Sequence, residues 1–160
     1  MSVLNYFFLN ILLSVAWAAL SGQMSPGNLL AGLVVGYAML WLSQGALGRS
    51  NYFIKVPQVI GFIGYFLWEL VRANVRVAYE VLTPGHRMRP AIVAIPLDLR
   101  SPLAITLLAQ MITLTPGTLS LDVSSDQRVL YIHTMYVDDI DDFRRSIKNG
   151  FERRLREVLG

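Results

Sequence analysis

The sequence predicts a membrane protein of two parts, an apolar α-helical N-terminal hairpin and a small α+β domain. Three observations carry that reading. Of 160 residues, 54% are hydrophobic and only 16% charged, against roughly 25% charged in soluble domains. No Asp, Glu, Lys or Arg occurs from Met1 to Gly48. After Pro84-Gly85 the pattern changes to short β-branched runs and amphipathic helices. The absence of Cys excludes a disulfide scaffold, a thiolate zinc site and a Cys nucleophile. The net charge of +3 is small and unevenly placed, so it says little about partners.

Residues 1–48 have room for two membrane helices, since a bilayer core takes about 20 apolar residues per span. Gln23-Met24-Ser25-Pro26-Gly27-Asn28 interrupts the stretch with turn chemistry, which places spans near 4–20 and 29–47. A cleaved signal peptide would carry a positive n-region; nothing is charged before Arg49, so the first helix is expected to stay. Arg49, Lys55 and the later arginines assign everything after Gly48 to the cytoplasm by the positive-inside rule.

Residues 49–85 form a second region. Within 56–82 an apolar start (Ile60, Phe62, Ile63, Phe66, Leu67) gives way to Glu69, Arg72, Arg76 and Glu80. Spacings of three and four put those four on one helical face, which Gln58 and Tyr65 extend. The stripe suits an interfacial helix with its other face in lipid, or a third span whose polar side meets other subunits. The charge distribution favours the interfacial reading, and the fold is two or three transmembrane helices accordingly.

Residues 86–160 read as β-α-β-β-α. The run 91–97 (AIVAIPL) is a buried strand. Ser101-Pro102 starts a helix over 103–114, too short to span. Thr115-Pro116-Gly117 ends it. Leu119, Leu121 and Val123 alternate with polar residues in a second strand, and 128–137 is a third that pairs with it as a hairpin. A single helix over 138–159 closes the chain, with Ile140, Phe143, Ile147, Phe151, Leu155 and Val158 on one face. The first two strands are expected to run parallel across a right-handed crossover, with the third antiparallel.

Several residues invite chemistry. Gly32-x-x-x-Gly36 lets a second helix approach closely, either the first span or a neighbouring subunit. Glu69, Arg72, Arg76 and Glu80 could line an ion path, but Glu69–Arg72 and Arg76–Glu80 have self-pairing spacings. Thr115-Pro116-Gly117-Thr118 could be an anion nest; a stop-and-turn explains it better, because Pro lacks an N–H and a helix C-terminus repels anions. Asp138, Asp139, Asp141 and Asp142 open a helix, where negative charge is favoured without a metal. His86 and His133 lack any catalytic constellation. The basic face of Arg144, Arg145, Lys148, Arg153, Arg154 and Arg156 is interleaved with acids, which suits lipid or a subunit surface better than nucleic acid. No catalytic, cofactor or metal site is expected.

The run Ile112-Thr113-Leu114-Thr115-Pro116-Gly117-Thr118-Leu119-Ser120-Leu121-Asp122, followed by Leu130-Tyr131-Ile132-His133 and an acidic helix start, resembles the E subunit of Mrp/Mnh-type multisubunit Na⁺/H⁺ antiporters. The apolar hairpin, the Pro84-Gly85 junction and Ile95-Pro96-Leu97 extend the resemblance along the chain. It implies an accessory, non-catalytic subunit of a monovalent cation/proton antiporter in the bacterial inner membrane. Such a subunit supports assembly and stability, while larger subunits carry the ions. It implies a hetero-oligomer of antiporter subunits in a lipid bilayer, with a cytoplasmic C-terminal domain. Two other classes stay open on the residues alone. One is a membrane-tethered enzyme using 138–142 or His133; the other is a lipid- or nucleic-acid-binding adaptor.

Overall fold

A computed structural model describes residues 2–83 and 88–159. The expectations placed on the Pro84-Gly85 junction, His86 and Arg87 lie outside the described residues. The chain divides into two compact units, one ending at Pro57 and the other beginning at Gln58.

The first unit is helical. Helix α1 (Val3–Leu20) opens at Ser2, whose hydroxyl accepts the Asn5 N–H at 3.2 Å. Helix α2 (Pro26–Leu42) opens three residues earlier than the sequence pattern suggests. Ser25 accepts the Asn28 N–H at 3.2 Å, and Pro26 stands at the first helical position, where its missing N–H has no intrahelical partner to lose. A break at Ser43 leaves the short α3 (Gln44–Leu47). The buried residues of α1 are Tyr6, Asn10, Ser14 and Ala18; those of α2 are Gly32, Gly36 and Leu40. Both rows have a spacing of four, the ridge that interlocks with its like in close helix packing.

Helix α4 (Tyr52–Leu82) is 31 residues long and contains Pro57, so it begins four residues before the expected 56. Proline at 57 removes the N–H that Phe53 O would accept. The Tyr37 hydroxyl donates to that carbonyl instead, at 3.4 Å. Tyr6 donates to Gly48 O at 2.7 Å, and Asn10 Nδ2 donates to the Tyr52 hydroxyl at 2.8 Å. Tyr6, Tyr37, Tyr52 and Phe53 stack edge to face around these bonds.

The second unit holds the rest of α4 and the α+β fold. Strands β1 (Ala91–Pro96), β2 (Thr118–Val123) and β3 (Val129–Thr134) form an antiparallel sheet in the order β1-β3-β2. The β2–β3 hairpin is as expected, and β1 and β2 do run the same way. They are not neighbours, however: β3 lies between them. Leu130 and Ile132 of β3 are fully buried, whereas Ser120 and Asp122 make β2 a poorer centre. Pro96 suits an edge strand because it cannot donate to a second neighbour. A bulge between Ser120 and Asp122 re-aims the end of β2.

Helix α5 (Pro102–Leu114) crosses between β1 and β2 and buries Ala104, Ile105, Leu108 and Ile112 against Val93, Ile95, Leu130 and Ile132. The C-terminal helix is not continuous. Helix α6 (Ile140–Ile147) and α7 (Arg153–Leu159) are joined by a π-turn, Lys148–Glu152. The sequence explains the turn. Phe143, Ile147, Phe151 and Leu155 are spaced by four throughout, and an α-helix overshoots a full turn by about 40° over four residues. One wide turn absorbs the excess and returns the stripe to the core. Ile147, Phe151 and Leu155 are buried there; Ile140 at the outer end is 47% exposed.

Candidate functional site

Seven of the eight residues singled out in the Glu69–Glu80 stripe and the Thr-Pro-Gly-Thr segment line one groove of the second unit, with a volume of about 620 Å³. They are Glu69, Arg72 and Arg76 of α4, and Thr115, Pro116, Gly117 and Thr118. Glu80 does not line it. Gly32 and Gly36 belong to the other unit, at the α1–α2 contact. A Cβ at Gly32 would stand 2.8 Å from the Ser14 backbone, and one at Gly36 would stand 2.5 Å from Asn10 Oδ1. Ser14 Oγ donates to Leu29 O at 2.6 Å, which removes its hydroxyl from apolar surroundings. The two glycines therefore close this chain's own hairpin.

The α4 wall of the groove is the expected polar stripe, and it faces the chain's own α+β fold. Its upper anchor is Tyr65. That ring packs on Phe151 with centroids 5.3 Å apart, and the Arg154 guanidinium lies 3.9 Å over it. Gly150 has no side chain where the Tyr65 hydroxyl sits. Further along, Glu69 pairs with Arg72 at 3.6 Å. Arg76 lies 5.7 Å over the Tyr136 ring. It makes no ion pair with Glu80 among the described residues, so the second expected pairing is replaced by a cation–π contact.

The Thr-Pro-Gly-Thr segment is the facing corner, and its hydroxyls are already engaged. Thr115 donates to Met111 O at 2.9 Å and Thr118 to Ile112 O at 2.6 Å, both carbonyls of the last turn of α5. Gly117 has φ +88°, and a Cβ there would stand 2.9 Å from the Tyr136 ring. Its carbonyl accepts the Met135 N–H at 2.9 Å. The segment ends a helix, turns, and starts β2.

The aspartates at the start of α6 are likewise engaged. Asp139 Oδ1 accepts the N–H groups of Asp141 and Asp142 at 2.7 and 2.9 Å. The Asp142 amide, then that of Asp141, holds the Asp139 carboxyl below its ordinary range. Asp141 pairs with Arg144 at 3.0 Å, Asp142 with Arg145, and Asp138 with Arg89 at 3.8 Å. Among the described residues no three metal-binding side chains converge. His133 is half-buried, on the sheet face opposite the helices.

Sequence reasoning missed two features. One is the Tyr65–Gly150–Phe151–Arg154 clamp that fixes α4. The other is Glu152, 1% exposed. Its Oε1 accepts the N–H groups of Asp98 and Leu99 at 2.6 and 3.1 Å. Lys148 bridges it to Asp98, at 3.2 and 2.8 Å, and the bond from Lys148 draws the Asp98 carboxyl below its ordinary value. The one visible signal was a Lys–Glu pair at i,i+4 beside an apolar stripe.

The family described as Na⁺/H⁺ ion antiporter subunit matches residues 10–158. The E subunit of the Na⁺/H⁺ antiporter of Bacillus subtilis (strain 168) is 36% identical over 150 residues, 94% of this chain and 95% of that one. A chain in the structure of the membrane-bound sulfane sulfur reductase, an archaeal respiratory membrane complex, superposes with a TM-score of 0.58. It is 29% identical and covers 96% of this chain and 98% of its own length. A chain of the Mrp complex from Dietzia sp. DQ12-45-1b gives 0.49 at 29% identity, covering 64% of this chain and 96% of that one.

Proposed function

We propose a role that starts from membership: this chain belongs to the family of Na⁺/H⁺ antiporter E subunits, and it works there as an accessory, non-catalytic component that supports assembly of its membrane complex. Its homologues are subunits of multisubunit membrane complexes. One observation carries the accessory role. Asn10 and Ser14 of α1 are buried inside the first unit, and Tyr65 and Glu69 of α4 turn toward the α+β fold, while the long helices carry apolar faces that are exposed. Phe8, Leu12 and Leu20 of α1, Leu30, Val34 and Leu42 of α2, and Ile60, Leu67, Trp68 and Val75 of α4 are each more than half exposed. Such faces need lipid or neighbouring subunits to cover them. Within the groove Glu69 is paired with Arg72 and Arg76 is stacked on Tyr136, which favours scaffolding over conduction.

In this reading α1 and α2 cross the bilayer as a hairpin. Helix α4 lies at the cytoplasmic interface, apolar face toward lipid, with the α+β fold on its polar stripe. The test is to purify the assembled antiporter with and without this chain. Stoichiometric co-purification is expected, with loss of assembled complex when the chain is removed. Alanine at Glu69 or Arg72 should leave cation/proton exchange intact wherever assembly is normal. Full assembly and transport without the chain, or a fully assembled variant at Glu69 that no longer exchanges ions, would overturn the role.

A further inference from the structure

The exposed surface of α4 in the second unit has two sectors of different character. Tyr65, Glu69 and Arg76 line the groove toward the α+β fold. At about 100° of turn per residue, Ile60, Ile63 and Leu67 occupy the opposite side, each more than half exposed. Between the two runs a seam of Gly61, Gly64, Trp68, Val71 and Val75, continued by Ala78 and Leu82. Its steps alternate strictly between three and four residues, the repeat by which one helix keeps a straight contact line along another. The seam carries no charge. Trp68, Val71 and Val75 are more than half exposed on it.

The glycines separate a helix from lipid as the occupant of the seam. Both are exposed, and a Cβ on either would meet nothing within 4 Å among the described residues. Glycine inside a helix costs about 1 kcal/mol relative to alanine, and here no packing within the chain offsets it. The α1–α2 hairpin shows the filled counterpart: a Cβ at Gly32 or Gly36 would stand 2.8 Å from Ser14 or 2.5 Å from Asn10, because a second helix occupies the space. Fluid lipid gains nothing from such a notch, whereas a helix gains close backbone contact. Trp68, one turn beyond Gly64, is the matching knob.

We propose that this seam docks an uncharged helix of a neighbouring subunit, which runs alongside α4 and approaches it most closely at Gly61 and Gly64. The partner helix places bulky apolar side chains opposite the two glycines and small residues opposite Trp68, as interlocked helices require. The seam deepens the accessory role and rests on it, as the surface through which this chain holds its complex together. Ile60, Ile63 and Leu67 are left to the lipid.

The test uses the purified antiporter complex with a photo-crosslinking amino acid in place of Val71 and, in a second variant, of Ile63. Illumination should join position 71 to one other subunit and give lipid adducts alone at position 63. Gly61→Leu with Gly64→Leu should lower recovery of that subunit about fivefold or more. The chain itself should stay at its wild-type level in the membrane, because a Cβ at either position meets nothing of its own chain and leucine favours the helix. Ile60→Ala with Ile63→Ala should release no subunit. The seam is overturned if position 71 forms adducts only with lipid or only with a second copy of this chain. It is also overturned if the double-leucine complex keeps every subunit at its wild-type ratio. Should the double-leucine chain be lost from the membrane, the adduct at position 71 decides. Full assembly without this chain, alongside that adduct, would refute the accessory role and leave the seam standing; lipid adducts alone, with assembly still dependent on the chain, would do the reverse.

Discussion

Gly117 shows how much of the second unit hangs on one backbone angle. Its φ of +88° and the ring 2.9 Å from a would-be Cβ both exclude a side chain. Gly117→Val should lower stability by about 1–3 kcal/mol from backbone strain alone, with displacement of Tyr136 added. A downward shift of the thermal transition checks this, and an unchanged transition contradicts it. Asp98 and Asp139 make a second prediction. Both carboxyls sit below their ordinary 3.8 in the folded chain, through Lys148 for Asp98 and the Asp142 and Asp141 amides for Asp139. Their stabilisation is fully present above about pH 4 and fades as pH falls through the lowered folded values. Acid unfolding followed by circular dichroism should show less loss below pH 4 in Asp98→Asn, from a lower starting stability. At this scale the sequence was informative wherever geometry is local: Gly117 as a turn, and the aspartates from 138 to 142 as a helix start, though not Asp139 as its cap. What Glu152 and Tyr65 contact was illegible, because their partners, Asp98 and Gly150, lie tens of residues away.

Among elements, the π-turn and α4 bear most of the consequence. The turn sets Phe151 into the core and Gly150 under Tyr65, so one irregularity serves both contacts. Phe151→Ala should cost about 3–5 kcal/mol and also free α4 at Tyr65. Protease cleavage within α4 should then rise in the folded state, whereas a purely local loss would leave it unchanged. The even spacing of four from Phe143 to Leu155 already carried the need for a wide turn; the 3.6-residue template hid it by tolerating small misfits. For α4 the amphipathic pattern was legible and its direction was not, since periodicity cannot say whether a polar stripe faces water, a neighbour or its own chain. Cysteines in place of Ser50 and Met88 bracket the helix. If α4 lies at the interface, a membrane-impermeant maleimide labels both from the same side of the membrane. Labelling from opposite sides would make α4 a third span.

The whole molecule joins a local helical hairpin to a sheet of distant pairings. The first was plain in the sequence, because Gly32 and Gly36 meet Ser14 and Asn10 through one short turn. The sheet was half legible. Strand number and the hairpin followed from alternation, but the central place of β3 depends on which strand is most completely buried, and that is a property of the assembled core. Removing the α+β fold after Leu82 should leave the hairpin inserted while assembled complex is lost, as measured by co-purification. A truncated chain that still supports full assembly would confine the role to the hairpin.

The position of β3 has a further consequence during biosynthesis. Neither β1 nor β2 has a hydrogen-bonded neighbour until residues 129–134 exist, so the first strand waits more than thirty residues for its mate, whereas α1 and α2 need only each other. A nascent chain halted before Val129 would carry a finished hairpin and two bare strand edges, a ready substrate for quality-control proteases. Ribosomes stalled just before and just after that strand should therefore yield products of sharply different lifetime.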